Sequence, residues 1–150
     1  MAIHVSRVVV GGLFAGVIRL IGGGLIRALV LAPLFEQEIR QAHPALIPAM
    51  ETTSSKIGLV VLNLLMGITV VYMYAAMRPR FTTRLVTVLS AALPAWALAT
   101  LNWAITAFMQ LFSWRSVAIE SALMLAVLLV ATYAGASIYK EPSESRPVNA

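Results

Sequence analysis

IGLVVLNLLMGITVVYMYAAM, from Ile57 to Met77, is the stretch whose reading decides the fold. It carries no charged residue and matches the roughly 20 apolar residues that a helix needs to cross the hydrocarbon core of a bilayer. It is too long for a strand and lacks the period-two alternation of a membrane barrel, so in lipid its backbone must satisfy itself as helix. Three similar stretches surround it: Val8 to Phe35, Leu85 to Phe112 and Val117 to Tyr139. The linkers Arg78–Arg84 and Ser113–Ser116 are short enough to force antiparallel neighbours. The expected fold is therefore all-α: an antiparallel bundle of four transmembrane helices over residues 1–139. A polar tail at 140–150, KEPSESRPVNA, has two prolines and is expected to be disordered and cytoplasmic.

Composition agrees. Of the 150 residues 60% are hydrophobic and 11% charged, against about 45 to 50% and about 25% in a soluble domain. So few charges cannot cover a water-facing surface, and a mean hydropathy of +0.88 points to lipid as the solvent. With no cysteine, neither a disulfide framework nor a thiolate site is available. The two histidines, His4 and His43, have no metal-ligand spacing, so neither a metal nor any other cofactor is expected. The net charge of +5 is scattered among apolar runs rather than gathered for nucleic acid.

The first stretch follows Arg7, as a signal peptide might, but a signal core is about 7 to 15 apolar residues long. This one is much longer and contains Arg19 and Arg27, so it reads as a retained span, tilted or leaving the membrane near Pro33. Basic loops resist translocation. One side holds Arg7, Arg78, Arg80, Arg84, Lys140 and Arg146, the other Arg40, Lys56 and Arg115. Both termini are accordingly expected in the cytoplasm, with the chain in the inner (plasma) membrane. Phe112 and Trp114 are expected at the outer interface, and Tyr72, Tyr74 and Tyr139 at the inner one. Pro94 removes one backbone hydrogen bond from the third span, a kink that serves packing or a hinge.

Membrane helices associate through small residues that let backbones approach and through polar side chains. Gly12, Gly16, Arg19, Gly23 and Arg27 fall within an arc of about 80° on the first helix. Asn63 shares a face with Gly67 and Tyr74; Asn102 with Ala91, Ala95, Ala99 and Thr106; Glu120 with Ser113, Ser116, Ala131 and Ala134. By rise per residue, Arg27, Asn63, Asn102 and Glu120 lie in the outer half, with Arg19 deeper, near Thr69 and Tyr133. An ionisable group inside a membrane is costly and needs a reason. Three remain open: an Arg–Glu pair that fixes register, a polar site for an anionic ligand or ion, or snorkelling of Arg27 and Glu120 to the interface.

The segment Tyr74-Ala75-Ala76-Met77-Arg78-Pro79-Arg80-Phe81, with the ending Gly135-Ala136-Ser137-Ile138-Tyr139-Lys140, resembles a group of uncharacterised small bacterial integral membrane proteins. In these a YAAxRPRF-like junction follows the second of four helices. The resemblance implies four spans and no activity, and the arginines of the first helix depart from it. Gly11, Gly12 and Arg19, with Val61 to Gly67 around Asn63, resemble the first two helices of small four-helix fluoride channels. The third helix lacks their glycine and Thr/Ser/Phe-rich break, and the charge bias argues against dual topology.

No nucleophile with a base, metal cage or acid pair lies in the spans, so no catalytic residue and no enzyme activity are expected. The main expectation is a non-catalytic structural or accessory membrane protein, whose partners are the bilayer and a homo-oligomer or larger membrane complex. The alternative is a small-solute or ion channel or transporter component using Arg19, Arg27, Asn63, Asn102 and Glu120.

Overall fold

The computed structural model describes residues 4–45, 47–48 and 51–139; the tail expectation for 140–150 lies outside them. Among the described residues the chain is helical without a strand, and four helices are long and apolar enough to cross a membrane. In chain order these are α1 (Val5–Ile26), continued through a π-helical turn (Arg27–Leu31) into α2 (Ala32–Ala42), then α3 (Thr53–Met77), α4 (Arg84–Phe108) and α5 (Trp114–Ile138).

The element boundaries follow local chemistry. Thr52, Thr83 and Ser113 begin α3, α4 and α5 as N-caps, each side chain accepting from a backbone N–H three residues on. Pro79 stops α3 in a short 3₁₀ turn, where Arg78 Nη1 donates to the Phe81 carbonyl at 2.8 Å. The third span ends at Phe108 rather than Phe112, because Gln110 takes a left-handed φ of 58° and closes the helix. Pro94 does not divide α4, which continues through it.

The first span likewise differs from 8–35. Its helix runs on past Pro33 because the π turn widens the backbone: Ala32 N–H donates to Arg27 O, one residue further back than in an α-helix. Pro33 then falls in the first turn of α2, where its missing N–H costs little. Leu31, in the widened turn, is fully buried.

Helix α1 is the spine, packed along α3 on one side and α5 on the other, while α4 packs chiefly on α5 and more lightly on α3. Backbones nearly touch where α1 meets its neighbours. A Cβ placed on Gly67 would lie 2.3 Å from both Gly12 O and Gly16 N, and one on Gly135 would lie 2.7 Å from Gly11 O. Gly23 differs from the rest of its stripe: it faces the flexible end of Met124, 3.3 Å from Cε, not another backbone.

The end of the bundle that carries both termini of the described chain is densely packed around Val71, Tyr74, Val88, Ala91, Ala131 and Ala136. Tyr74 and Tyr139 lie at this end, where the sequence places them, and are packed into its core edge to face at 6.4 Å; only Tyr72 of the three is exposed. Tyrosine's apolar ring makes burial favourable here, and α3 and α5 both place one facing the other. At the opposite end, Phe35, Trp103 and Phe112 stack in a tilted cluster, and Phe108 meets Trp114 edge to face at 4.9 Å.

Candidate functional site

Arg19 and Arg27 stand two turns apart on one face of the first helix and reach different neighbours. Arg27 Nη2 donates to Glu120 Oε1 on α5 at 2.8 Å, and Nε donates to the same oxygen at 3.2 Å. The expected Arg–Glu pair is thus formed across the bundle. Arg19 Nη1 donates to Asn63 Oδ1 on α3, while Asn63 Nδ2 donates to the Leu59 carbonyl at 2.8 Å. The asparagine is held at both ends of its amide and presents only its oxygen to the guanidinium.

This corrects the placement of Arg19 beside Thr69 and Tyr133. Tyr133 instead takes Arg84, whose guanidinium carbon sits 4.3 Å above its ring and whose Nη2 donates to its carbonyl at 2.9 Å. Packing register brings the two together: a Cβ on Gly16, three residues before Arg19, would lie 2.9 Å from Asn63 O, an alignment that rise counted from the ends of the spans does not give.

All five polar residues singled out from the sequence, Arg19, Arg27, Asn63, Asn102 and Glu120, line one cavity of about 690 Å³. Asn102 is exposed and its side chain lies at the rim, bonded to none of the other four. Apolar residues complete the wall: Leu59, Leu62 and Leu65 of α3, Leu98 and Ala99 of α4, Met124 and Leu128 of α5. Of these, Leu62, Leu65 and Leu98 are among the most exposed side chains of the molecule. The cavity therefore opens sideways, between α3 and α4, toward the bilayer.

Three polar atoms in this wall are buried without a hydrogen-bond partner: Glu120 Oε2, Ser121 Oγ and Trp103 Nε1. Glu120 is 5% exposed and Ser121 8%. Ser121 and Trp103 were not among the residues read from the sequence. Each follows directly after one that was, but a neighbour on a helix is turned by about 100°, so only the opening between α3 and α4 brings both into the same wall. By contrast Trp96 Nε1 is satisfied, donating to the Ser121 carbonyl at 2.8 Å and tying α4 to α5.

A second polar link lies above the cavity. Glu38 of α2 accepts from Ser113 N at 3.1 Å, Ser113 Oγ at 2.6 Å and Ser116 Oγ at 2.8 Å. It thereby caps the N-terminus of α5, where a carboxylate also complements the helix dipole. In the sequence Glu38 lies outside the expected spans, between Phe35 and Ile57.

Among the described residues no three His, Cys, Asp or Glu side chains gather to hold a metal ion. The cavity offers cationic and neutral donors, one carboxylate and an apolar wall, a set suited to binding. No protein-family model, curated protein or solved structure matches this chain.

Proposed function

We propose that this is a non-catalytic, non-conducting integral membrane protein of accessory type, which presents a polar recess within the bilayer to lipid or to a membrane partner. One observation carries the reading: the recess is blind. Its lining reaches Met73 on α3, Ala95 on α4 and Leu128 on α5, and the next core residues along those helices, Tyr74, Ala91 and Ala131, are close-packed. A conductor needs a polar route through both halves of the membrane. Here the buried hydroxyls of the other half, Thr87 and Thr132, are spent on carbonyls of their own helices, Thr83 and Leu128, and its close-packed core leaves no polar route.

The expected measurement is flux in liposomes. Purified protein should pass halide and small cations no faster than empty vesicles. A flux that disappears in Arg27→Ala or Asn102→Ala, with the fold intact, would establish the conductor instead.

The same reading places the chain in the inner (plasma) membrane with both termini cytoplasmic, supported by the excess of Lys and Arg at the end that bears Arg7, Arg78, Arg80 and Arg84. Reporter fusions after Arg84 and Lys140 should read cytoplasmic and one after His43 external. An external signal at Arg84 would invert the topology. Enzyme activity has no support in the recess, whose single carboxylate is already engaged by Arg27. The broad lipid-facing surfaces leave room for a homo-oligomer or larger complex.

A further inference from the structure

The recess has an unbalanced charge. Its ionisable lining groups are Arg19, Arg27 and Glu120, so two positive charges face one negative and one positive charge remains. Geometry says which. Arg27 holds Glu120, whereas Arg19 is bonded to the neutral amide of Asn63. A guanidinium stays protonated even in apolar surroundings, so Arg19 is a permanent cation whose direct contact is to a neutral amide, sharing with Arg27 the one carboxylate of the recess.

The unpartnered atoms describe what would complete the site. Trp103 Nε1 can only donate, Ser121 Oγ can donate, and Glu120 Oε2 can only accept. Buried polar groups are nearly always paired, so three orphans in one wall mark a place for a polar group. A phosphodiester supplies anionic acceptor oxygens for Arg19, Trp103 and Ser121, and a hydroxyl on its head supplies a donor for Glu120. The opening between α3 and α4 is flanked by Leu62, Leu65 and Leu98, the last 69% exposed. Acyl chains attached to that head could stay in the bilayer against these leucines.

We propose that the recess binds the head of one anionic phospholipid with a hydroxyl-bearing headgroup, entering sideways between α3 and α4. This goes beyond the non-conducting reading and does not depend on it, since a bound lipid and a blind recess are separate properties. Arg19 supplies the charge that selects an anionic head, and the apolar wall selects a lipid over a soluble anion.

The test is native mass spectrometry of the full chain, released from detergent after titration with phosphatidylglycerol or with phosphatidylcholine of the same acyl chains. One phosphatidylglycerol should be retained per chain, with an affinity about tenfold or more above phosphatidylcholine. Arg19→Gln should abolish the preference, and Arg19→Lys, which keeps the charge, should retain most of it. Ala99→Phe places a ring in the recess while leaving every polar residue in place, and should remove phosphatidylglycerol binding from a chain whose helical circular dichroism is unchanged. Glycerol phosphate in lipid-free detergent should bind far more weakly. Equal retention of the two lipids, or unchanged phosphatidylglycerol binding in Arg19→Gln or in Ala99→Phe, would overturn the proposal. Glycerol phosphate binding as tightly as the lipid would overturn the lipid as occupant and leave a soluble anion in its place. Liposome flux is not read by any arm, so failure here leaves the non-conducting reading to its own test.

Discussion

Arg27→Leu is expected to lower stability in detergent by about 3 to 5 kcal/mol, the usual cost of stranding one member of a buried ion pair. The two halves of the pair are unequal. The Glu120 side chain is 7% exposed and that of Arg27 40%. Losing Arg27 leaves a carboxylate enclosed by the bundle, where its desolvation is uncompensated. Losing the charge of Glu120 leaves an arginine that can turn into the recess or snorkel outward, so Glu120→Gln should cost less than Arg27→Leu. In the Arg27→Leu, Glu120→Leu double variant neither charge remains buried, and part of the single loss should return. Thermal denaturation of the parent, Arg27→Leu, Glu120→Leu and the double variant in one detergent gives the cycle. Additive losses would mean that the contact contributes nothing.

Gly67→Ala is the second large effect. The added methyl would meet Gly12 O and Gly16 N at 2.3 Å and Gly16 Cα at 2.6 Å. These are backbone atoms of another helix, so no side chain can swing aside and α1 must move off α3. Overpacking typically costs about 1 to 3 kcal/mol, and with no flexible neighbour the upper end applies. Gly67→Val should prevent stable assembly. Gly24 and Gly58 provide the control, since a Cβ on either meets nothing within 4 Å. Gly24→Ala and Gly58→Ala should be neutral or slightly stabilising through helix propensity. Equal stability of Gly67→Ala and Gly58→Ala would mean that the α1–α3 contact is looser than the backbone distances require.

What could be read from the chain divides along physical lines. Lipid tolerates few sequences, so the charge-free run at Ile57–Met77 and its three companions identified themselves by length and apolarity. The Arg27–Glu120 pair was legible because small residues mark the inward face and helical rise fixes depth. The same reasoning misplaced Arg19 beside Tyr133, because depth counted from the ends of the spans misses the register in which α1 packs on α3. Helix ends were harder. Whether Gln110 turns left-handed, or whether Arg27–Leu31 widens so that α2 continues past Pro33, depends on backbone choices of small energy that no pattern in the residues announces. The burial of Tyr74 and Tyr139 was hidden for a related reason: tyrosine suits an interface and a core equally, and only the way their helices face each other decides. Glu38 was hidden because its partners, Ser113 and Ser116, are far along the chain and it lies outside the expected spans.

That distance gives the molecule an order of assembly. The bonds joining Glu38 to Ser113 span 75 residues, and those joining Arg27 to Glu120 span 93. Each of these links ties the first of the four helices, with its extension α2, to α5. When α3 enters the membrane it can close on α1 through Gly12, Gly16 and Gly67, a joint that needs nothing made later. Arg27 then sits in the bilayer without a carboxylate until α5 arrives. The final helix brings Glu120 to the arginine, Gly135 to Gly11 and the serines of its N-terminus to Glu38. A nascent chain halted before Ser113 would hold a sound α1–α3 joint and an uncompensated cation, a combination that membrane quality control can distinguish from the finished bundle.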